Sequence, residues 1–120
     1  MASTKDVLAK LLEIDGCIGT CVVDSNSGMM LGALGGGSVN LEVAAAGNTE
    51  VVRAKRKTMA SLGLKDKIED ILITLGKQYH LIRPLEAKDG LFVYLVLDRS
   101  KANLAMGRHT LGEMEKSLTV

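Results

Sequence analysis

A proline-free stretch from residue 39 to residue 64 is the feature of this sequence that most restricts its fold. Gly47 is its one interior glycine before the end, so the composition permits a helix of about six or seven turns. At about 100° per residue, one side of this helix collects apolar residues. They are Leu41, Ala44, Ala45, Val52, Met59 and Leu62. The pattern predicts a long helix that packs one side on a core.

The other sides of this predicted helix carry two different sets of residues. Roughly opposite the core side lie residues that we expect to be exposed: Glu42, Thr49, Arg53, Arg56 and Lys57. Between the two runs a stripe of mostly small residues: Val43, Gly47, Ala54 and Ser61. The last three are spaced by seven, which keeps one side of a helix aligned against a neighbour. We therefore predict a partner helix, which a symmetric dimer supplies most simply. The alternative is an ordinary surface.

Length and charge narrow the class of protein. The chain has 120 residues, which predicts one domain over residues 1–120 with a genuine core. No apolar run approaches the roughly 18 residues of a membrane span, and the N-terminus does not read as a signal peptide. The net charge is +1 with both signs interspersed, and the basic cluster at residues 53–57 points in different directions on a helix. We expect a cytoplasmic protein with no nucleic-acid partner and no membrane insertion.

Cysteines, histidines and glycines do not form a recognisable metal or cofactor motif. Cys17 and Cys21 are separated by roughly 13 Å at strand rise, too far for a disulfide, and are expected to be reduced core thiols. His80 and His109 are isolated, so no metal site is predicted. The glycines at 35–37 are not followed by the lysine of a P-loop. We therefore assign no cofactor and no metal.

Local patterns predict two more helices and five strands. The first helix is expected to begin at a Ser3 or Thr4 cap and to stop at residues 15–16. The last helix is expected to be capped by Asp98 or Ser100. The predicted strands cover residues 16–23, 29–34, 68–75, 78–85 and 91–97. The resulting order is α-β-β-α-β-β-β-α.

The strand pattern also predicts the architecture. Several strands are apolar on both sides, so both faces of the sheet need cover. We expect an α+β, two-sided sandwich in which one antiparallel sheet carries the middle helix on one face and the terminal helices on the other. The strand at residues 91–97 is the most apolar and should be central. Pro84 cannot donate to a ladder, so the fourth strand should end or bulge near it.

Several short sequence segments, taken together, carry a resemblance to a known family. They are Ile14-Asp15-Gly16 through Val22-Val23-Asp24 with Ser27-Gly28, then His80-Leu81-Ile82-Arg83-Pro84-Leu85, Tyr94-Leu95-Val96-Leu97-Asp98, and Asn103-Leu104-Ala105-Met106-Gly107-Arg108 with Leu111 and Glu115. Through their order and spacing, the chain resembles the Roadblock/LC7 family nearly from end to end. The resemblance implies a profilin- and longin-like fold with strand order 2-1-5-4-3. It also puts Pro84 on a strand with two neighbours, which is tolerable only near the strand's end.

The resemblance further implies a homodimer in which the third strands pair and the two middle helices lie side by side. The expected dimer interface then combines the small stripe with the third strand, residues Ile71, Leu72, Ile73, Thr74 and Leu75. The resemblance implies a non-catalytic adaptor or scaffold that binds and regulates a small Ras-like GTPase. The exposed set Glu42, Thr49, Arg53, Arg56 and Lys57 is the expected partner-binding surface.

Three alternatives remain open at this stage. One is a small-molecule-sensing module, although Tyr79, Phe92 and Tyr94 are the only aromatic residues available for a pocket. Another is a structural dimerisation module, such as a motor-complex light chain. The third is an enzyme, but no nucleophile, base and orienting residue form a recognisable pattern, so we assign no catalytic residue.

Overall fold

The computed structural model describes residues 2–86, 88 and 90–119. Its elements are α1 (Thr4–Leu12), β1 (Cys17–Asp24), β2 (Met29–Gly35), α2 (Leu41–Ser61), β3 (Ile71–Thr74), β4 (Gln78–Pro84), β5 (Leu91–Asp98) and α3 (Leu104–Ser117). The predicted order of helices and strands is confirmed. None of the helices in the described part of the chain is long and apolar enough to cross a membrane.

The five strands form one antiparallel sheet in the order β2-β1-β5-β4-β3, as predicted. The central strand is β5, in which every residue from Leu91 to Leu97 is buried. β4 ends at Pro84, opposite Phe92, which confirms that proline is accommodated at the end of its strand. The predicted sheet topology is therefore confirmed.

A separate apolar core lies on each face of the sheet. On one face, α2 contributes Leu41, Ala45 and Val52 to a core that includes Phe92 and Tyr94. On the other face, α1 and α3 cover a second core. Its buried residues are Val7, Leu8, Leu11, Val22, Leu81, Leu85, Leu91, Val93, Leu95, Leu97, Leu111 and Leu118. The predicted two-sided sandwich is confirmed.

The start of α1 is as predicted, but its end is not. Ser3 caps the helix and its hydroxyl accepts a hydrogen bond from the Asp6 N–H at 3.2 Å, in a capping box with the Asp6 carboxylate. The helix stops at Leu12, several residues before the expected stop at Gly16. Tight turns follow, and Gly16 adopts a φ of 83° at the entry to β1. The chain therefore leaves the helix early and uses the glycine for the reversal.

The cap of α3 was predicted wrongly. The helix begins after Asn103, whose side-chain oxygen accepts a hydrogen bond from the Met106 N–H at 3.1 Å. Asp98 instead accepts hydrogen bonds from the N–H and hydroxyl of Ser100, at 2.9 and 2.7 Å. Such a local side-chain turn competes with a helix start, because it satisfies the same backbone donors in a different conformation.

β3 is shorter than the predicted strand at residues 68–75. Its ladder with β4 runs from Ile71 opposite Ile82 to Thr74 opposite Tyr79. Residues 64–70, before β3, have no regular structure. Alternation along the ladder would make residue 69 and Pro84 the next hydrogen-bonded pair after Ile71 and Ile82, but proline has no N–H to donate. The length of this edge strand is thus decided by its neighbour.

The two cysteines of β1 face opposite sides of the sheet. The register with β5 shifts between Cys17 and Gly19, so Cys17 packs against the core of the terminal helices and Cys21 against that of α2. Both thiols are free. Burial raises the pKa of Cys17 to about 11 and that of Cys21 to about 12. Both are therefore protonated and poorly nucleophilic at neutral pH.

Candidate interaction surface

The outer edge of β3 presents free backbone groups. The Leu75 N–H donates to the Gln78 carbonyl at 2.8 Å, so this opposing pair is hydrogen-bonded. Hydrogen-bonded pairs alternate in an antiparallel ladder, so Ile73 and Ile71 also bond towards β4. The backbone groups of Leu72 and Thr74 consequently point away from the sheet. They are available to a further strand.

The side chains of β3 suit an edge that pairs with another apolar strand. Ile71, Leu72 and Ile73 are half-buried, Thr74 is exposed, and Leu75 just beyond the strand is 42% exposed. The strand contains no proline or charge, and its register with β4 is unbroken. Prolines, charged side chains and register breaks are the features that usually protect an edge strand from pairing with another chain. Because β3 has none of them, its edge is unprotected.

The predicted core side of α2 is confirmed along most of the helix, but the prediction is wrong at the C-terminal end. Leu41, Ala45 and Val52 are buried, whereas Ala44 and Met59 are half-buried. Leu62 was expected in the core but is 65% exposed. It forms the C-cap, just beyond the last helical residue Ser61.

Thr49 was predicted to be exposed, and this prediction is wrong. It is 2% exposed, and its hydroxyl donates to the Ala45 carbonyl at 2.7 Å. On the helix it lies only about 40° from Ala45, within reach of the core side. The turn between β1 and β2 covers that flank, because an added Cβ at Gly28 would lie 3.9 Å from the Thr49 hydroxyl. Thr49 therefore presents no side chain to a partner.

The small stripe of α2 is open to solvent in this chain. Val43 is 68% exposed, and Gly47, Ala54 and Ser61 are exposed as well. A Cβ added at Gly47 would meet nothing within 4 Å. No contact within the chain therefore requires a glycine at position 47, and the exposed stripe remains available for a second helix.

The charged residues of α2 do not share one environment. Glu42, Arg53 and Lys57 are exposed, and Arg53 lies 3.8 Å from Glu50 in a surface ion pair of little energetic value. Arg56 is half-buried and lines a groove at the end of the helix. The structure thus separates Arg56 from the outward-facing charges.

A chain of polar side chains lies one strand in from the β3 edge, on the α2 face. The His80 Nε2 lies 2.8 Å from the Gln78 side-chain oxygen, and its Nδ1 lies 2.8 Å from the Tyr94 hydroxyl. Burial lowers the pKa of His80, so the neutral imidazole is favoured, with Nε2 donating and Nδ1 accepting.

A buried ion pair fixes β4 to α3 on the opposite face. The Arg83 Nε donates to the Glu115 carboxylate at 3.1 Å, and their side chains are 13% and 2% exposed. The second carboxylate oxygen accepts from the Glu86 N–H at 3.3 Å. An added Cβ at Gly112 would lie 3.4 Å from the guanidinium carbon, so the glycine gives Arg83 room against the helix. The sequence patterns predicted neither this ion pair nor the hydrogen bond between His80 and Tyr94. In both cases the partners lie on different elements, 32 and 14 positions apart, so no local motif links them.

Metal ligands are not grouped in the part of the chain that the structure describes. Within residues 2–86, 88 and 90–119, no three His, Cys, Asp or Glu side chains are placed to hold one ion. The features that stand out are the open β3 edge and the exposed side of α2.

The fold is that of Roadblock/LC7 domains. A Roadblock/LC7 domain from Streptomyces avermitilis has a TM-score of 0.79 and 12% identity, covering 92% of this chain and 90% of that chain. MglB of Myxococcus xanthus has a TM-score of 0.78 and 13% identity, covering 92% and 82%. The gliding protein MglB of Thermus thermophilus has a TM-score of 0.70 and 15% identity, covering 95% and 89%. No protein-family model and no curated protein sequence matches this chain.

Proposed function

We propose that residues 1–120 form one Roadblock/LC7 domain, which acts as a non-catalytic, cytoplasmic, homodimeric adaptor for a small Ras-like GTPase. The observation that carries the proposal is the fold shared with MglB structures over more than nine-tenths of this chain. The resemblance of the sequence to a family of GTPase platforms supports it. Two free thiols with raised pKa values suit a reducing compartment.

The dimer that we propose pairs two β3 strands across a two-fold axis. Leu72 and Thr74 supply the outward backbone groups, while Ile71, Ile73 and Leu75 complete the proposed strand contact. The sheets then continue from one protomer into the other, which satisfies the edge groups of both. On the α2 face, the small stripe of Val43, Gly47, Ala54 and Ser61 allows the two helices to approach closely.

The dimer is tested by Ala54→Glu, because a carboxylate in the helix contact places two like charges near the axis. We expect light scattering at micromolar concentration to show a monomer with an unchanged circular dichroism spectrum. Ala105→Glu, at an exposed position of α3, is the matched control and should stay dimeric. A dimer that persists in Ala54→Glu shows that the small stripe is not the helix contact.

The GTPase surface that we propose is the outward side of α2, with Glu42, Arg53 and Lys57 exposed and Arg56 at its margin. Because Thr49 is buried, it has no part in this surface. Exposed charges at the rim of an interface steer association, so they affect the association rate and its salt dependence more than the final affinity. Mixed charges on a rigid helix suit docking against the nucleotide-dependent loops of a Ras-like protein.

The GTPase surface is tested by charge reversal of Arg53 and Lys57 together. Association is measured against a Ras-like GTPase of the same organism, loaded with a GTP analogue or with GDP. We expect the double variant to associate about tenfold more slowly at low salt, converging with wild type as salt rises. The control reverses Lys5 and Lys101, both exposed and outside α2. A wild-type rate in the double variant excludes this side, and a dimer that binds neither nucleotide form is a dimerisation module only.

A further inference from the structure

Positive charge is concentrated at one end of α2. Residues 53–67 contain six basic residues and one acidic residue, a net charge of +5. The remaining nine basic and thirteen acidic residues give a net charge of −4. The basic residues are Arg53, Lys55, Arg56, Lys57, Lys65 and Lys67. A protein that is nearly neutral overall therefore carries a local field that attracts anions to this end.

Exposed apolar side chains lie among these charges. Every residue from Ala60 to Lys67 is exposed, and Leu62 and Leu64 are 65% and 52% exposed. The chain has no helix or strand from residue 64 to residue 70, although the Leu64 N–H still donates to the Met59 carbonyl at 3.0 Å. Leu62 and Leu64 therefore add exposed apolar surface beside these cations.

A groove of about 410 Å³ lies between the end of α2, this segment and the end of β4. Its apolar lining includes Met59, Leu64, Ile68, Pro84 and Leu85. The polar lining is Arg56, Asp66, Lys67 and Glu86. Lys67 and Glu86 lie 3.4 Å apart and are mostly exposed, so their pairing is weak and readily exchanged. The volume suffices for one large side chain and part of a backbone.

We infer that this groove binds an acidic peptide segment of another protein through one large apolar side chain. The apolar lining suits such an anchor, while Arg56 and the surrounding lysines suit the carboxylates that flank it. A flat bilayer fits less well, because the lining is concave. The inference goes beyond the proposed GTPase platform, which uses the outward side of α2.

The test uses two synthetic fluorescein-labelled peptides of twelve residues. One contains aspartate, glutamate and glycine around a central leucine, and the other has serine in place of that leucine. Fluorescence anisotropy at low salt should show saturable binding of the leucine peptide, with the serine peptide about tenfold weaker or more. Arg56→Glu and Leu64→Ser should each weaken the leucine peptide about tenfold. Lys5→Glu, a charge reversal on α1, should change its affinity less than about twofold.

Three outcomes overturn the inference. Equal affinity for both peptides shows a non-specific charge effect, and absence of saturation shows that no peptide site exists. Binding of phosphatidylserine vesicles without binding of the leucine peptide identifies a membrane surface instead. Leu64→Ser is also tested for dimerisation and GTPase association, which should be unchanged because Leu64 belongs to neither proposed interface. Loss of peptide binding alone therefore concerns the groove, and loss of GTPase association alone concerns the proposed function.

Discussion

The two edge strands of the sheet, β2 and β3, differ in how they expose their backbone. In β2 the register with β1 shifts, with Val22 opposite Gly32 but Val23 opposite Met30, so Leu31 is left as a bulge. β3 has no such shift. A bulge bends and twists an edge strand away from a flat partner.

The packing of the helices on β2 adds to this difference between the two edge strands. β2 packs closely under α1, because an added Cβ at Gly32 would lie 3.0 Å from Thr4 and 3.1 Å from Leu8. On its other face, Met30 and Ala33 pack against the α2 core. β2 nevertheless exposes Met29 and Leu31, by 66% and 52%. The comparison teaches that exposed apolar side chains do not by themselves mark a pairing edge. A pairing edge is marked instead by backbone groups that are accessible and in regular register.

The largest expected effect comes from the buried ion pair between Arg83 of β4 and Glu115 of α3. Glu115→Ala leaves Arg83 charged in a largely buried position and removes the acceptor of the Glu86 N–H. We expect the free energy of unfolding to fall by about 3–5 kcal/mol. Urea denaturation measures it. Glu113→Ala, at an exposed position of the same helix, should change it by less than about 0.5 kcal/mol. A small loss for Glu115→Ala would mean that the ion pair contributes little to holding β4 against α3.

The next effect comes from a proline at Ile73, whose N–H points inward to β4. The variant loses a ladder hydrogen bond and leaves a β4 carbonyl unpaired, so we expect about 1–3 kcal/mol of destabilisation. Urea denaturation at a protein concentration that keeps the chain monomeric measures it. Wild-type stability in this variant would contradict the register from which the outward groups are derived.

A proline at Thr74 separates folding from pairing, because its N–H points outward. We expect monomer stability within about 1 kcal/mol of wild type but a loss of the dimer in light scattering. The matched control is Ala33→Pro on β2. The Gly36 N–H donates to the Ile18 carbonyl at 2.8 Å, and alternation along the ladder leaves the Ala33 N–H pointing outward too. If Ala33→Pro abolishes the dimer and Thr74→Pro does not, the pairing edge is β2.

The smallest effect is a pH dependence on the β3 side. Burial lowers the pKa of His80 below the value of 6.5 that it has when unfolded, so the unfolded chain binds a proton that the native protein does not. Its contribution to stability is present above pH 6.5 and is lost as the pH falls through 6.5 towards the folded pKa. Urea midpoints between pH 7 and pH 5 should fall less in His80→Gln than in wild type.

The control for this prediction is His109→Gln, since His109 is exposed on α3. Its urea midpoints should fall with pH as those of wild type do. Equal pH dependence in wild type and His80→Gln would show that the His80 chain does not contribute. An NMR titration of the His80 ring should place its pKa below 6.5.

The sequence by itself determined the elements and their order. The proline-free stretch becomes α2, Pro84 ends β4, and β5, the most strongly apolar strand, is central. These features follow from rules that act within a few residues: the helical period, the missing N–H of proline and the apolarity of a strand covered on both faces. The exposure of the small stripe and the strand at residues 71–74 follow from the same local rules, whereas their place in a dimer interface stays a prediction.

Only the tertiary structure decided which flanks are covered and which backbone groups are free. Thr49 is buried because a distant turn covers it, and Leu62 is exposed at the C-cap of α2. β3 is short because Pro84 of β4 has no N–H with which to extend the ladder. The outward direction of Thr74 depends on its register with β4, and the pair of Arg83 with Glu115 joins residues 32 positions apart. Periodicity records which residues a segment is able to bury, but burial also needs a neighbour, and neighbours are chosen by contacts that no local window contains.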